Sequence, residues 1–131
     1  MQKLEGKMND GGQRIRYGEN AAQREPATGK GRPSLITPFG TDRLSKWYEL
    51  GANKYGDRNW EKGMPFSRYT DAIERHTIAW KKGDESEDHL AAIAWNAFAI
   101  MHHQELKELQ WDDMAHYLSK ESINIKEVVN E

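Results

Sequence analysis

The chain has 131 residues, 37% of them hydrophobic and 31% charged, with a formal charge of −2 and no cysteine. That length makes one domain the default and is enough to bury a real core. Near-neutral charge provides no global field that would select nucleic acid or membrane, and the missing thiols exclude disulfides and thiolate metal sites.

The hydrophobic fraction is thin for a monomer, although five Trp and five Tyr enlarge what each buried position contributes. A small core completed by a partner copy is expected, hence a homo-oligomer, dimer or larger, with no nucleic-acid polymer as partner. MQKLEGKMND at the N-terminus lacks the apolar centre of a signal peptide. Leu90 to Met101, the longest apolar run, falls short of the roughly 20 residues that span a bilayer. A cytoplasmic protein without membrane contact is the expectation.

Residues 1 to 33 lack apolar periodicity and read as an extended basic, Gly-rich arm. Within it Gly29 to Arg32, GKGR, sets Lys30 and Arg32 between or beside glycines that let backbone approach a ligand; a basic linker explains the same residues. An all-α bundle is expected over residues 34–118. Thr41 to Leu50 looks helical, with Leu44, Trp47, Tyr48 and Leu50 on its apolar side, Gly51 as its stop and Glu49 near its end. The following loop, GANKYGDRNWEKGMPF, places Lys54, Arg58 and Asn59 beside Tyr55 and Trp60, a combination suited to nucleotide phosphates and base. An Ω-like loop packed on its own aromatics is the alternative.

Ser67 is a candidate cap for a helix over residues 67–82 that ends at Gly83. Tyr69, Ile73, His76 and Trp80 line its apolar side, while Asp71, Glu74, Arg75 and Ile78 share another. A short turn then leads into a helix over residues 87–107, so the two form an antiparallel hairpin on which the fold is centred. In the second helix Leu90, Ala94, Ala97 and Met101 fall on one side and Ala92, Trp95 and Ala99 on the other, with His89, Ile93, Asn96 and Ile100 between. A helix apolar nearly all round should be buried all round. Asp84, Glu85, Glu87 and Asp88 crowd the turn; Asp84 with Glu87 has capping-box spacing, and the excess of like charge suits an added cation. A short helix over residues 111–118 and a polar tail or terminal helix over 119–131 complete the expectation.

Asp71-x-x-Glu74 and Glu85-x-x-Asp88 are both i,i+3 pairs, which facing helices could wrap around Mg²⁺. KYGDRNW, DAIERH and EDHLAAIAWN resemble the phage and bacterial dATP/dGTP diphosphohydrolase N-terminal domains, which are similar to the MazG-like all-α NTP pyrophosphohydrolases. The likeness runs from about Gly29 to His103. It implies hydrolysis of a deoxynucleoside triphosphate such as dGTP or dATP to monophosphate and pyrophosphate with Mg²⁺ or Mn²⁺, in the cytoplasm of a phage-infected or bacterial cell. Asp71, Asp88 and Glu87 are then the catalytic candidates, and Glu49, Asp71, Glu74 and Asp88 the metal candidates. Lys30, Arg32, Lys54, Arg58, Asn59, Trp60, Arg75, His76, His89 and Asn96 are the candidates for substrate contact. A non-catalytic nucleotide-binding oligomer using the basic and aromatic residues is the rival. An HD-type phosphohydrolase fits poorly, because Asp88-His89 stands in the reverse order.

Overall fold

The computed structural model describes residues 14–115. The expected terminal segment over 119–131 and the last residues of the expected 111–118 helix lie outside them, as does the N-terminal decapeptide. The chain divides into two units, one up to Thr37 and one from Pro38 onward.

In the first unit a small antiparallel hairpin joins β1 (Ile15–Arg16) to β2 (Gln23–Arg24), with Ile15 opposite Arg24 and Arg16 opposite Gln23. Arg14 and Glu25 form an ion pair across its open end. Gly29 and Gly31 both take left-handed backbone, at φ 82° and 79°, so GKGR is a pair of turns that only glycine enters without strain.

The second unit is helical: α1 (Pro38–Tyr55), α2 (Phe66–Lys81) and α3 (His89–Glu105), with short 3₁₀ turns at Asn59–Lys62 and Leu109–Trp111. The hairpin of α2 and α3 is the centre of the unit, as the apolar pattern requires, and α1 packs on α3. No helix among the described residues is long and apolar enough to cross a membrane.

Several boundaries differ from the sequence expectation, each for a local reason. Gly51 does not stop α1. The helix runs through it to Tyr55, and Gly56 at φ 94° supplies the left-handed residue that ends it. Ser67 is not the cap of α2; Pro65 holds that position, and the Ser67 backbone N–H and hydroxyl donate to the Asp113 carboxylate from 46 residues away. Asp88, rather than an Asp84–Glu87 box, caps α3, its carboxylate accepting from the Ala91 N–H at 3.1 Å.

Tyr69, Phe66 and Ala99 form the core, with Trp60, Met64, Trp95, Ile100 and Trp111 packed against them. Rings replace aliphatic bulk. Tyr48 meets both Trp60 and Trp95 at 6.0 and 6.2 Å, Trp95 meets Tyr69 at 6.3 Å, and Tyr69 stacks on His103 at 6.3 Å. Each such pair adds about 0.5–1.5 kcal/mol beyond area burial, which helps a thinly apolar chain hold three helices together. His103 is fully buried, and its Nδ1 pairs with Glu108 at 2.8 Å.

α3 is not buried all round within the single chain. Ala91, Ala92, Asn96 and Ala99 are buried, whereas Leu90, Phe98 and Met101 are 42–49% exposed. The side carrying Leu90 and Met101 is the one opposite Ala92 and Ala99, so the helix buries one face against its neighbours and leaves the other uncovered.

Two outcomes follow from this packing. Gly63 lies at φ 85°, and a Cβ there would overlap the Trp111 indole, whereas Gly56 at φ 94° has nothing within 4 Å. Gly63→Ala should therefore destabilise by roughly 1–3 kcal/mol more than Gly56→Ala in urea titrations, the excess being steric. Arg43 holds the Asp88 carboxyl below the usual carboxylate range, chiefly by hydrogen bonding. A lowered carboxyl pKa stabilises the fold above the unfolded value of about 4 and loses that contribution as pH falls through the folded value. Asp88→Asn, which keeps a capping side chain, should flatten the acid limb of a melting-temperature profile; Asp88→Ala should in addition lose about 1 kcal/mol of capping.

Candidate functional site at the hairpin turn

The end of α2 is built by two backbone bonds. The Gly83 N–H donates to the Trp80 carbonyl at 3.0 Å and the Asp84 N–H to the Ala79 carbonyl at 3.1 Å, with Gly83 at φ 79°. This paired pattern is a Schellman turn, and its last residue is Asp84. The turn therefore fixes where the Asp84 carboxylate sits. That carboxylate receives the Ser86 hydroxyl at 2.7 Å and lies 2.5 Å from His89 Nε2. Both partners, Ser86 first and His89 second, lower its pKa.

His89 opens α3 and is 5% exposed. An ionised carboxylate only accepts, so His89 Nε2 carries the hydrogen and, in the neutral ring, Nδ1 presents its lone pair inward. Facing it at 2.8 Å is His76 Nδ1 from α2. The Trp47 ring on α1 packs nearly perpendicular to the His76 ring, with centroids 5.8 Å apart. Burial is the leading cause that lowers the His76 pKa, with Glu87 opposing and His89 and Arg75 assisting. A lowered value keeps the ring neutral at neutral pH.

Glu87 stands just outside α3, and its Oε2 is 3.9 Å from His76 Nδ1 and 4.0 Å from His89 Nδ1. His76, Glu87 and His89 thus bring one ligand atom each within 4.8 Å of one another, an arrangement able to hold a metal ion. Next to them, Arg43 on α1 grips Asp88 with two bonds, Nε to Oδ2 at 2.8 Å and Nη2 to Oδ1 at 2.6 Å. An open cleft of about 340 Å³ runs along this end, lined by Arg43, Trp80, Asp84, Glu85, Glu87, Asp88, His89 and Leu90.

The sequence candidates distribute unevenly over this geometry. Glu87, Asp88, His76 and His89 meet at the turn. Asp71 and Glu74 do not join them: both are exposed on α2, about 140° and 160° around the helix from His76, the side that faces α3. Glu49 is exposed on α1 and outside the ligand group. The facing-pair arrangement of Asp71-x-x-Glu74 and Glu85-x-x-Asp88 is accordingly not assembled, because α2 turns its His76 side, not its Asp71 side, toward the start of α3. Arg75 is exposed on α2. Asn96 is buried and donates to the Ala92 carbonyl of its own helix at 2.8 Å, a structural bond.

Lys54 lies over the Tyr55 ring at 5.4 Å, and Arg58 takes left-handed backbone at φ 57° with an ion pair to Glu61 at 3.5 Å. Asn59 is half-buried where the 3₁₀ turn begins, and Trp60 packs inward on Tyr48 and His102. None of these lines the cleft. Lys30 and Arg32 belong to the first unit, both exposed. The sequence reading misses Arg43 at the turn and names Asp84 without its role. Arg43 lies one helical turn before Trp47, and that shared stripe is the signal that could have found it. Asp84 is marked in the sequence as one of four crowded acids and as half of a capping-box spacing; its place after Gly83, as the last residue of a Schellman turn, is the sharper clue.

Comparison with known proteins falls on the same segments. Residues 20–113 match the family described as dATP/dGTP diphosphohydrolase, N-terminal, which takes in α1, both hairpin helices and the whole acidic turn. A dATP/dGTP diphosphohydrolase of Salmonella phage PMBT28 is 35% identical over 60 residues, 46% of this chain and 20% of that protein. The chain therefore spans about a fifth of that relative's length. No solved structure gives a significant match. By the extent of the family match, this chain belongs to the dATP/dGTP diphosphohydrolase N-terminal family.

Proposed function

We propose that the chain takes part in hydrolysis of a deoxynucleoside triphosphate, such as dGTP or dATP, to monophosphate and pyrophosphate, and that the hairpin turn is where the phosphates are handled. The observation that carries this reading is the combination of one guanidinium and four carboxylates, Asp84, Glu85, Glu87 and Asp88, on a single cleft beside two imidazoles. A triphosphate brings about four negative charges, which repel such a cleft unless cations accompany it. Mg²⁺ is commonly held by one or two carboxylates together with substrate phosphates, and the turn provides carboxylates of that kind, so the donor set fits the metal that the reading requires. Glu85 and Glu87 would hold it. A divalent ion such as Mg²⁺ or Mn²⁺ supplies neutralisation of phosphate charge when bound.

The residues have separate tasks. Arg43 is the cation of the cleft, and its fork suits two phosphate oxygens as well as it suits a carboxylate. Transfer of Arg43 from Asp88 to a phosphate releases a carboxylate at the reacting end. That carboxylate then accepts the proton given up by the attacking water. Trp80, 52% exposed on the cleft wall, offers a ring face for a base.

A second reading has its own observation in support. Lys54 and Arg58 stand off the acidic cleft, so a nucleotide could be held by the basic residues without cleavage, in a sequestering protein. Incubation of the protein with a panel of nucleoside triphosphates and Mg²⁺ or Mn²⁺, with products resolved by chromatography, separates the two. Monophosphate plus pyrophosphate supports hydrolysis; ligand recovered intact after prolonged incubation supports sequestration. Given turnover, Asp88→Asn should lower kcat by about 100-fold or more, in the range expected for a lost proton acceptor. Arg43→Ala should act mainly on KM, raising it about tenfold or more, because the guanidinium binds ground state and transition state alike.

A further inference from the structure

Two imidazoles with Nδ1 atoms 2.8 Å apart are an unusual thing to bury at a helix start, because only one of them can donate to the other. The environment settles which. Asp84, delivered by the Schellman turn, holds the hydrogen of His89 on Nε2, leaving the Nδ1 lone pair directed at His76. A carboxylate on the far nitrogen of an imidazole is the arrangement that orients metal-ligating histidines and raises their basicity. Glu87 then stands almost equidistant from the two Nδ1 atoms, at 3.9 and 4.0 Å, and bonds to neither. Ligands about 2.0–2.2 Å from a tetrahedral ion lie roughly 3.3–3.5 Å from one another. The three separations bracket that value, so small side-chain rotations bring all three atoms into one coordination sphere.

The backbone favours the same outcome. The His89 N–H donates to the Glu87 carbonyl at 3.0 Å, a tight turn just before the helix that brings the side chains at 87 and 89 to a common side. Trp47 packs against the His76 ring and limits its rotation. Metal ligation requires both imidazoles to be neutral, so the Glu87 and outer Asp84 carboxylates would leave two negative charges for a dication to balance. Glu87 is half-exposed at the edge of the cleft, so a bound ion has an open side toward solvent.

We propose that His76 Nδ1, His89 Nδ1 and the Glu87 carboxylate form a protein-held site for a borderline first-row dication, of the Mn²⁺, Co²⁺ or Zn²⁺ class, with Asp84 as the positioning residue that fixes the His89 tautomer. Imidazole nitrogens suit these ions and not Mg²⁺, which is bound through oxygen. His76 joins as a ligand by moving its own hydrogen to Nε2, a tautomeric exchange with no net change of charge. The site adds a resident ion to the end of the hairpin proposed above for phosphate chemistry, yet its occupancy needs no nucleotide. Failure of the two ideas is therefore distinguishable.

The test is titration of chelator-stripped full-length protein with Co²⁺, followed by visible absorption, and with Zn²⁺, Mn²⁺ and Mg²⁺ by calorimetry, in the absence of nucleotide. One equivalent of Co²⁺ with intense bands of low coordination number is expected, displaced by Zn²⁺ and not by millimolar Mg²⁺. His76→Gln and Glu87→Gln should each weaken Co²⁺ binding at least tenfold, and Asp84→Asn should weaken it about 10–100-fold without abolishing it. Glu87 is exposed, so Glu87→Gln reports on the site even if a change at His76 disturbs folding, which circular dichroism would reveal. Absence of a stoichiometric Co²⁺ spectrum would overturn the proposal. So would unchanged affinity in Glu87→Gln, which would remove Glu87 from the site; unchanged affinity in His76→Gln as well would leave the histidine pair as a purely structural hydrogen bond.

Discussion

Close approach of α2 to α3 is the constraint from which the rest of the second unit follows. Ala92 and Ala99, both essentially without exposure, add nothing larger than a methyl to the buried face of α3, and Tyr69 of α2 lies fully buried in the same core as Ala99. Larger residues at those two positions would push the helices apart and separate His76 from His89. Instead a hydrogen-bonded contact of 2.8 Å forms across the hairpin one end from the aromatic core. Packing at the centre thus sets the geometry at the turn.

Both hairpin helices end in the same device, and each time it delivers a carboxylate to a histidine. After α2 the last residue of the Schellman turn is Asp84, which reaches His89. After α3 the Lys107 N–H donates to Gln104 and the Glu108 N–H to His103, and Glu108 returns to His103 Nδ1. Lys107 accepts a left-handed φ of 57° there without being glycine. The two pairs differ in surroundings. His103 is sealed under Tyr69 and belongs to no three-ligand group among the described residues, whereas His89 opens on a second imidazole, a second carboxylate and a cleft. The His103 pair closes a helix end; the His89 pair has the neighbours that chemistry needs.

Charge at the turn is organised rather than merely accumulated. Arg43 neutralises Asp88, Ser86 and His89 engage Asp84, and Glu87 is held at a distance from both rings. Three of the four acids within these five residues therefore occupy three different environments. That separation lets neighbouring carboxylates of one short segment perform different tasks, and it ties α1 to the start of α3 through a bidentate pair. The site depends on all three helices, with α1 contributing Arg43 and the packing of Trp47 against His76.

The sequence by itself determined the helical character of the second unit, its central hairpin and the crowding of acids at its turn, because apolar spacing, Gly83 and short loops act locally. It also marked His76, His89, Glu87 and Asp88 individually. Tertiary structure decided their partners. Asp71 and Glu74 share a face with Arg75 in any helix, but whether that face or the His76 face meets α3 depends on the rotation of α2 about its axis, which burial of Tyr69 sets. Arg43 and Asp88 are 45 residues apart, and Asp113 reaches Ser67 across 46. No local period encodes such pairs. They arise only when α1, the hairpin and the segment after α3 are brought together around the same aromatic rings, because a hydrogen bond between distant residues exists only once packing has placed its two ends in reach.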